Sequence, residues 1–224
     1  AEIRNDRATY LGLMAERGWT APMWPKQYGG GGLSPQQAKA LQDELNTLKL
    51  APALFGMGLS MIGPTLLVHG NEAQKNKYLP KIVSGEHRWC QGFSEPGAGS
   101  DLAALRTRAT RDGDDYVLNG QKIWCSFGQI ADFGEFLVRT DPDAAKHRGI
   151  SWLILPMDTP GIEVRPLRMG LELRHTPRGR SGRAPGVVDH EAPAAVCLAT
   201  QDVRVARREP HGLAVRPCAV ERPG

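Results

Sequence analysis

The chain is predicted to be α+β: an N-terminal helical bundle segment, then an antiparallel β-barrel or sandwich, then an irregular tail. Helix-period apolar stripes punctuated by capping residues fill the first part of the chain. From Trp89 the pattern changes to short alternating runs separated by Asp-Gly, Asn-Gly and Pro-Gly steps. Beyond residue 170 both patterns stop. The implied organisation is a helical domain at residues 1–88, a middle β domain at 89–170, and an Arg/Pro/Ala-rich tail at 171–224.

In the helical part, Ile3, Tyr10, Leu11, Leu13 and Met14 form a stripe closed by Gly18, and a Trp- and Gly-rich stretch around Trp24 and residues 29–32 reads as a packed inter-helix loop. Ser34 is placed to cap a second helix with Pro35 at its first position, and Leu41, Leu45 and Leu48 are its expected buried face. A third apolar segment runs over residues 53–69, interrupted by Pro64, and Asn71 caps a fourth helix ending near Gly85. In the β part, Arg106-Thr-Arg-Ala-Thr-Arg111 alternates and Asp112-Gly113 turns it back into Tyr116-Val-Leu118. Asn119-Gly120 reads as a second turn, with Lys122-Ile-Trp124 as the next strand, so the pattern is an antiparallel meander. Residues 135–139, 150–155 and 162–164 extend it.

Bulk properties narrow the function classes. A chain of 224 residues allows one or two domains with a real core. The net charge of +4 comes without any run of five basic residues, which argues against nucleic-acid binding. Cys90, Cys125, Cys197 and Cys218 form no CxxC and no Cys/His pairing, so neither a zinc site nor a disulfide scaffold is indicated, and reduced thiols in a cytoplasmic protein are expected. No stretch approaches eighteen apolar residues and no signal-peptide pattern opens the chain, so no membrane span is expected. The first residue is Ala1, inside a helical pattern, and the native start is expected to precede it.

The chemistry concentrates in two segments. Gly92-Phe-Ser-Glu-Pro-Gly-Ala-Gly-Ser-Asp101 is a loop of small residues rich in backbone N–H groups and hydroxyls, suited to wrapping a phosphate or a polar-edged ring. Ile123-Trp-Cys-Ser126 offers one large aromatic plane flanked by small residues. A donor-rich loop and a stacking platform together describe a site for a ring-bearing cofactor. Other motifs fail: Gly92-Phe-Ser94-Glu-Pro96 misses the last position of a nucleophile elbow, and Gly56, Gly58 and Gly63 miss the dinucleotide spacing and lie in no βαβ unit. The six histidines are isolated, and Glu95, beside Pro96 in a glycine-rich loop, is expected to brace that loop rather than shuttle protons.

Residues 92–101, with Ala104 three positions on, resemble the first signature of the acyl-CoA dehydrogenase family, Phe93 standing where an aliphatic residue is usual. Leu118-Asn-Gly-Gln-Lys-Ile-Trp124, Gly63-Pro-Thr-Leu-Leu-Val-His-Gly70 with Gln74-Lys75 and Leu79-Pro80, and residues 158–167 extend the likeness over most of residues 1–168. The resemblance implies FAD as cofactor and α,β-dehydrogenation of an acyl-CoA thioester. It also implies a carboxylate that takes the α-proton, an electron-transfer flavoprotein as acceptor, and homo-oligomeric relatives. Carried over residue by residue, it makes Gln91, Gly92, Phe93, Ser94, Gly99 and Ser100 the border of the flavin, with Ser94 at the ring edge and Ser100 also facing the acyl-CoA. Trp124 lies against the isoalloxazine, with Cys125 and Ser126 beside it. No catalytic residue is assigned, because the family's base comes from a C-terminal helical domain whose pattern does not follow residue 168. The reading from a different class is a non-catalytic helical-plus-β module that binds a nucleotide-like ligand or a partner chain.

Residues 171–224 contain no Lys, Ile, Met, Phe, Tyr, Trp or Asn, and their nine Arg against six Asp and Glu supply most of the formal charge. The absent types are largely those with AT-rich codons. A GC-rich stretch read out of frame, or a gene-end artefact, is expected, the alternative being a native basic disordered arm.

Overall fold

A computed structural model describes residues 6–166 and 196–206. The helical elements follow their local signals. Asp6 caps α1 (Arg7–Glu16) by accepting from the Ala8 and Thr9 amides. Ser34 caps α2 (Pro35–Thr47), its hydroxyl accepting from the Gln37 amide while the Gln37 side chain accepts from the Ser34 amide at 2.9 Å. Asn71 and Gln74 repeat the arrangement at the start of α4 (Glu72–Val83), and Gly85 leaves its end at φ +75°. The apolar segment before α4 departs from a regular helix. Residues 58–62 form one wide π-type turn in which the Gly63 amide reaches the Gly58 carbonyl, and α3 (Gly63–His69) follows. Pro64 explains the change, because it has no N–H to donate and its ring would clash with the carbonyl of Ser60 in a regular helix.

The expected buried face of α2 is only half covered. Leu41 and Leu45 are partly buried and Leu48 is 54% exposed, so periodicity marked the inward face but not how much covers it. The Trp24 loop is close-packed as expected. A Cβ on Gly63 would sit 1.9 Å from the Trp24 ring, and one on Gly30 would sit 2.3 Å from the Trp24 carbonyl oxygen.

The β part is a curled sheet, half a barrel, in which two of the pairings are parallel and the rest antiparallel as expected. β1 (Trp89–Gly92) runs parallel to β4 (Phe133–Arg139), and β5 (Ile150–Pro156) pairs antiparallel with β4. β2 (Arg108–Asp112) also pairs parallel with β4, touching it through Arg108 and Arg139, and forms the Asp112-Gly113 hairpin with β3 (Asp115–Lys122). Asn119-Gly120 is not a turn. Both residues lie inside the continuous strand β3, and a Cβ on Gly120 would sit 2.6 Å from the Thr107 Cα. The glycine lets a neighbouring backbone approach closely, a use that reads the same as a turn in the sequence. The expected irregular tail also contains an ordered element, since β7 (Val196–Ala206) lies between β3 and β6 (Ile162–Pro166), antiparallel to both. The strand has no aromatic residue, but Val196, Thr200, Val203 and Val205 suit it to a sheet, and its backbone pairs with two neighbours. The rest of the tail reading, at 171–195 and 207–224, lies outside the described residues.

Alternation along β4 and β5 divides the core in two. Phe136, Val138, Leu153 and Leu155 face the inside of the curl with Cys90, Leu118, Cys125 and Val203. Trp152 and Ile154, with Phe133 and Leu137 packed beside them, face the helices and meet Trp89, Ile62, Leu66, Tyr78 and Ile82. Tyr78 joins the layers, its ring edge-on to Trp89 at 5.4 Å and to Phe133 at 5.5 Å. No helix among the described residues is long and apolar enough to cross a membrane.

Gly63 and Gly12 separate packing from helix propensity. Gly63→Ala is expected to destabilise by about 1–3 kcal/mol through overpacking against Trp24, although alanine is the better helix former. Gly12→Ala, with open space around its Cβ, is expected to stabilise by about 0.5–1 kcal/mol. Urea unfolding of both variants decides, and a neutral or stabilised Gly63→Ala would refute the Trp24 contact.

Candidate functional site

β1 and β2 lie in tandem along the same edge of β4: Trp89–Gly92 runs along residues 133–136, and Arg108 meets Arg139. The chain between them, residues 93–107, leaves the sheet as a loop, and this loop carries the glycine-rich motif. Its near end is tied to the strand that leads to Trp124. The Ile123 amide donates to the Ser94 carbonyl at 2.9 Å, and Lys122 Nζ donates to the Phe93 carbonyl at 3.1 Å. Lys122 also pairs with Glu95 Oε1 at 2.8 Å, the two side chains being 1% and 7% exposed. The Arg106 and Thr107 amides donate to the same carboxylate at 2.6 and 2.9 Å. Glu95 and Ala98 close the turn over the motif through reciprocal backbone bonds.

The far end is held by Arg139. Its guanidinium donates to the carbonyls of Ala103, Leu105 and Lys146 at 2.7, 3.2 and 2.9 Å. The sequence offers no local mark of this role, because the acceptors are backbone atoms and the two on the loop lie 34 and 36 positions away.

At Glu95, burial alone would raise the carboxyl, but the Lys122 ion pair and the donors from residues 106 and 107 outweigh it and hold it below the ordinary carboxylate value. Burial pulls the Lys122 ammonium down while Glu95 opposes the shift. The expectation that Glu95 braces the loop is consistent with all four of these contacts. A second buried carboxylate, Glu135 on β4, is pushed up by burial; Gln91 Nε2 and Trp152 Nε1 oppose the shift, each donating to it at 2.7 Å.

The predicted site residues are only partly gathered. Ser94 and Trp124 are brought side by side by the bond between the Ser94 carbonyl and the Ile123 amide, and Trp124 is 57% exposed. Phe93 is half-buried and packs toward the helical core cluster. Gly99 and Ser100 are exposed beyond the Glu95–Ala98 turn, and Ser126 is half-buried after Trp124. Three side-chain positions point elsewhere. Gln91 is turned onto Glu135 and Met61. Gly92 is enclosed, a Cβ there lying 2.5 Å from the Phe136 ring. The Cys125 side chain is fully buried inside the curl. These three offer the site backbone at most, because Gln91 and Gly92, on opposite faces of β1, are both covered and Cys125 is packed into the core.

Whether a flavin fits is answered by the open positions. Gly97 and Gly99 have no positive φ and nothing within 4 Å of a Cβ, so nothing within the described chain requires glycine there. A side chain there would occupy open space over the loop, whose near end is bonded to the segment carrying the exposed Trp124 indole, and these residues fit a ring-bearing phosphate ligand.

Lys122→Met would leave Glu95 buried without its cation and is expected to cost about 3–5 kcal/mol. The carboxyl's folded value is depressed, so the stability it lends is complete above the ordinary value of 4.5 and is lost as pH falls through the lower folded value. Glu95→Gln should flatten this acid limb in a pH series of urea unfolding curves; an unchanged limb would show that the pair is not ionised.

Residues 2–86 match the family model for the acyl-CoA dehydrogenase N-terminal domain, and residues 90–180 match that for the middle domain. Over 188 residues the chain is 43% identical to acyl-CoA dehydrogenase FadE26 of Mycobacterium tuberculosis, covering 83% of this chain and 45% of that protein. It superposes on the ChsE4-ChsE5 complex of Mycobacterium tuberculosis with a TM-score of 0.70 at 36% identity, covering 95% of this chain and 49% of that one. A glutaryl-CoA dehydrogenase of Mycobacterium smegmatis, solved in complex with FADH2, matches with a TM-score of 0.64 at 27% identity, covering 93% of this chain and 47% of that one. The chain therefore spans about half the length of these relatives. With both domain models matched in order, and the glycine-rich loop braced beside Trp124, the chain belongs to the acyl-CoA dehydrogenase family.

Proposed function

We propose that this chain forms the flavin-contacting part of an FAD-dependent acyl-CoA dehydrogenase, which removes two hydrogens across the α,β-carbons of an acyl-CoA thioester. The observation that carries the reading is the juxtaposition of the braced loop, open above Gly97 and Gly99, with the exposed Trp124. In this reading Trp124 lies against the ring face, the Ser94 and Ser126 hydroxyls serve its polar edge, and Gly99 and Ser100 serve the phosphate side. Phe93 and the backbone of Gln91, Gly92 and Cys125 complete the border, and Ser100 also faces the acyl-CoA. Bound there, FAD would supply the two-electron acceptor.

The chain's own residues orient and enclose; they do not start the chemistry. Glu95 is held by Lys122 and two backbone amides, so taking up a proton would release the loop. Glu135 lies beneath the sheet surface, 1% exposed. The proton acceptor is assigned to the family's C-terminal helical domain, and electrons are expected to leave to an electron-transfer flavoprotein from a homo-oligomeric full-length enzyme.

Purified chain incubated with FAD and desalted is expected to retain visible flavin absorbance. Trp124→Ala should weaken retention by about tenfold, the order of one aromatic stacking contact. Turnover of any acyl-CoA with an artificial acceptor is expected to be negligible. A colourless product would favour the non-catalytic module, and robust turnover would overturn the missing base.

A further inference from the structure

Among the described residues four non-glycines have positive φ. Lys49 and Lys146 are exposed lysines, the first just past the end of α2 and the second opening a short 3-10 turn. The other two are Trp124 at φ +63° and Phe127 at φ +67°, three residues apart in the segment that follows β3. A bulky aromatic residue there is unusual, because its Cβ crowds the following carbonyl; glycine or asparagine is the ordinary occupant.

The backbone of this segment is wound tightly. The Ser126 amide donates to the Trp124 carbonyl, Gly128 to Cys125 and Ile130 to Phe127, all at 3.0–3.1 Å. This winding buries Cys125 and Gly128 and turns Trp124, Phe127 and Ile130 outward at 57%, 38% and 38% exposure. None of the three belongs to either core cluster. The same short segment therefore strains its backbone twice and exposes three large apolar side chains. Strain of this kind persists where the surroundings over-determine it and concentrates at ligand clamps. The segment begins at Ile123, whose amide is bonded to Ser94, so the ridge is continuous with the braced loop.

We propose that Phe127 is a ligand-contacting residue of the flavin site: with Trp124 it forms a strained aromatic wall against the isoalloxazine ring. The inference rests on the flavin reading above and adds a residue to it. It implies a trade-off, in which relieving the strain at Phe127 stabilises the fold and loosens the ligand.

The test measures melting temperature without ligand, and FAD affinity by fluorescence titration, on the purified chain and its Phe127→Asn and Phe127→Tyr variants. Phe127→Asn is expected to raise the melting temperature by about 2–4 °C and to weaken FAD binding about five- to tenfold. Phe127→Tyr, which keeps the ring and the strain, should match the parent in both. A lowered melting temperature for Phe127→Asn would make Phe127 a packing residue and overturn the proposal. So would unchanged FAD affinity in a chain whose parent binds flavin, which leaves the flavin reading standing. A parent chain that binds no FAD overturns both.

Discussion

The buried ion pair between Glu95 and Lys122 is the constraint on which the site depends. Removing two charges from water costs several kcal/mol each, and the mutual attraction repays it only when the remaining polar positions are also satisfied. Here they are: Lys122 also donates to the Phe93 carbonyl, and Glu95 also accepts from the Arg106 and Thr107 amides. Every one of these contacts falls on the loop or on the strand beginning at its far end. The consequence is geometric. The pair selects one course for residues 93–107 and sets it beside the chain that carries Trp124.

β4 makes that course possible. It carries β5 on one edge and β1 and β2 in tandem on the other, so the loop between β1 and β2 must leave the sheet and rejoin it within one strand length. Arg139, at the end of β4, reaches back to two loop carbonyls, Ala103 and Leu105, and forward to that of Lys146 in the connection to β5. The helical layer buttresses one face of β4, where Phe133 and Leu137 join the cluster that holds Tyr78 and Ile62. Packing of the helices thus bears on the site indirectly, by holding the strand from which the loop is hung.

The parts of the fold legible in the sequence are those decided by neighbours in the chain. Ser34, Asn71 and Gly85 mark helix ends because caps are satisfied within a few residues. Asn119-Gly120 misled because a glycine needed for close approach to Thr107 has the same local appearance as one needed for a turn. The ordered strand β7 was hidden in a compositionally poor tail, since backbone bonds to two neighbouring strands leave little trace in side-chain pattern. At the site, the motif identified the loop, but Gln91, Gly92 and Cys125 could not be distinguished from Ser94 and Trp124 without knowing what each side chain packs against.

The sequence by itself determined the division into helical and β parts, the capped helices, and the pairing of a glycine-rich loop with an aromatic platform, because each is a matter of local chemistry and spacing. Tertiary structure alone decided that Glu95 is held by a lysine 27 positions away and that Arg139 closes the loop's far end. It alone decided that Phe127 is turned outward in a left-handed conformation. Buried charges, backbone acceptors remote in the chain and strained dihedrals acquire their partners and their cost only when the layers have packed.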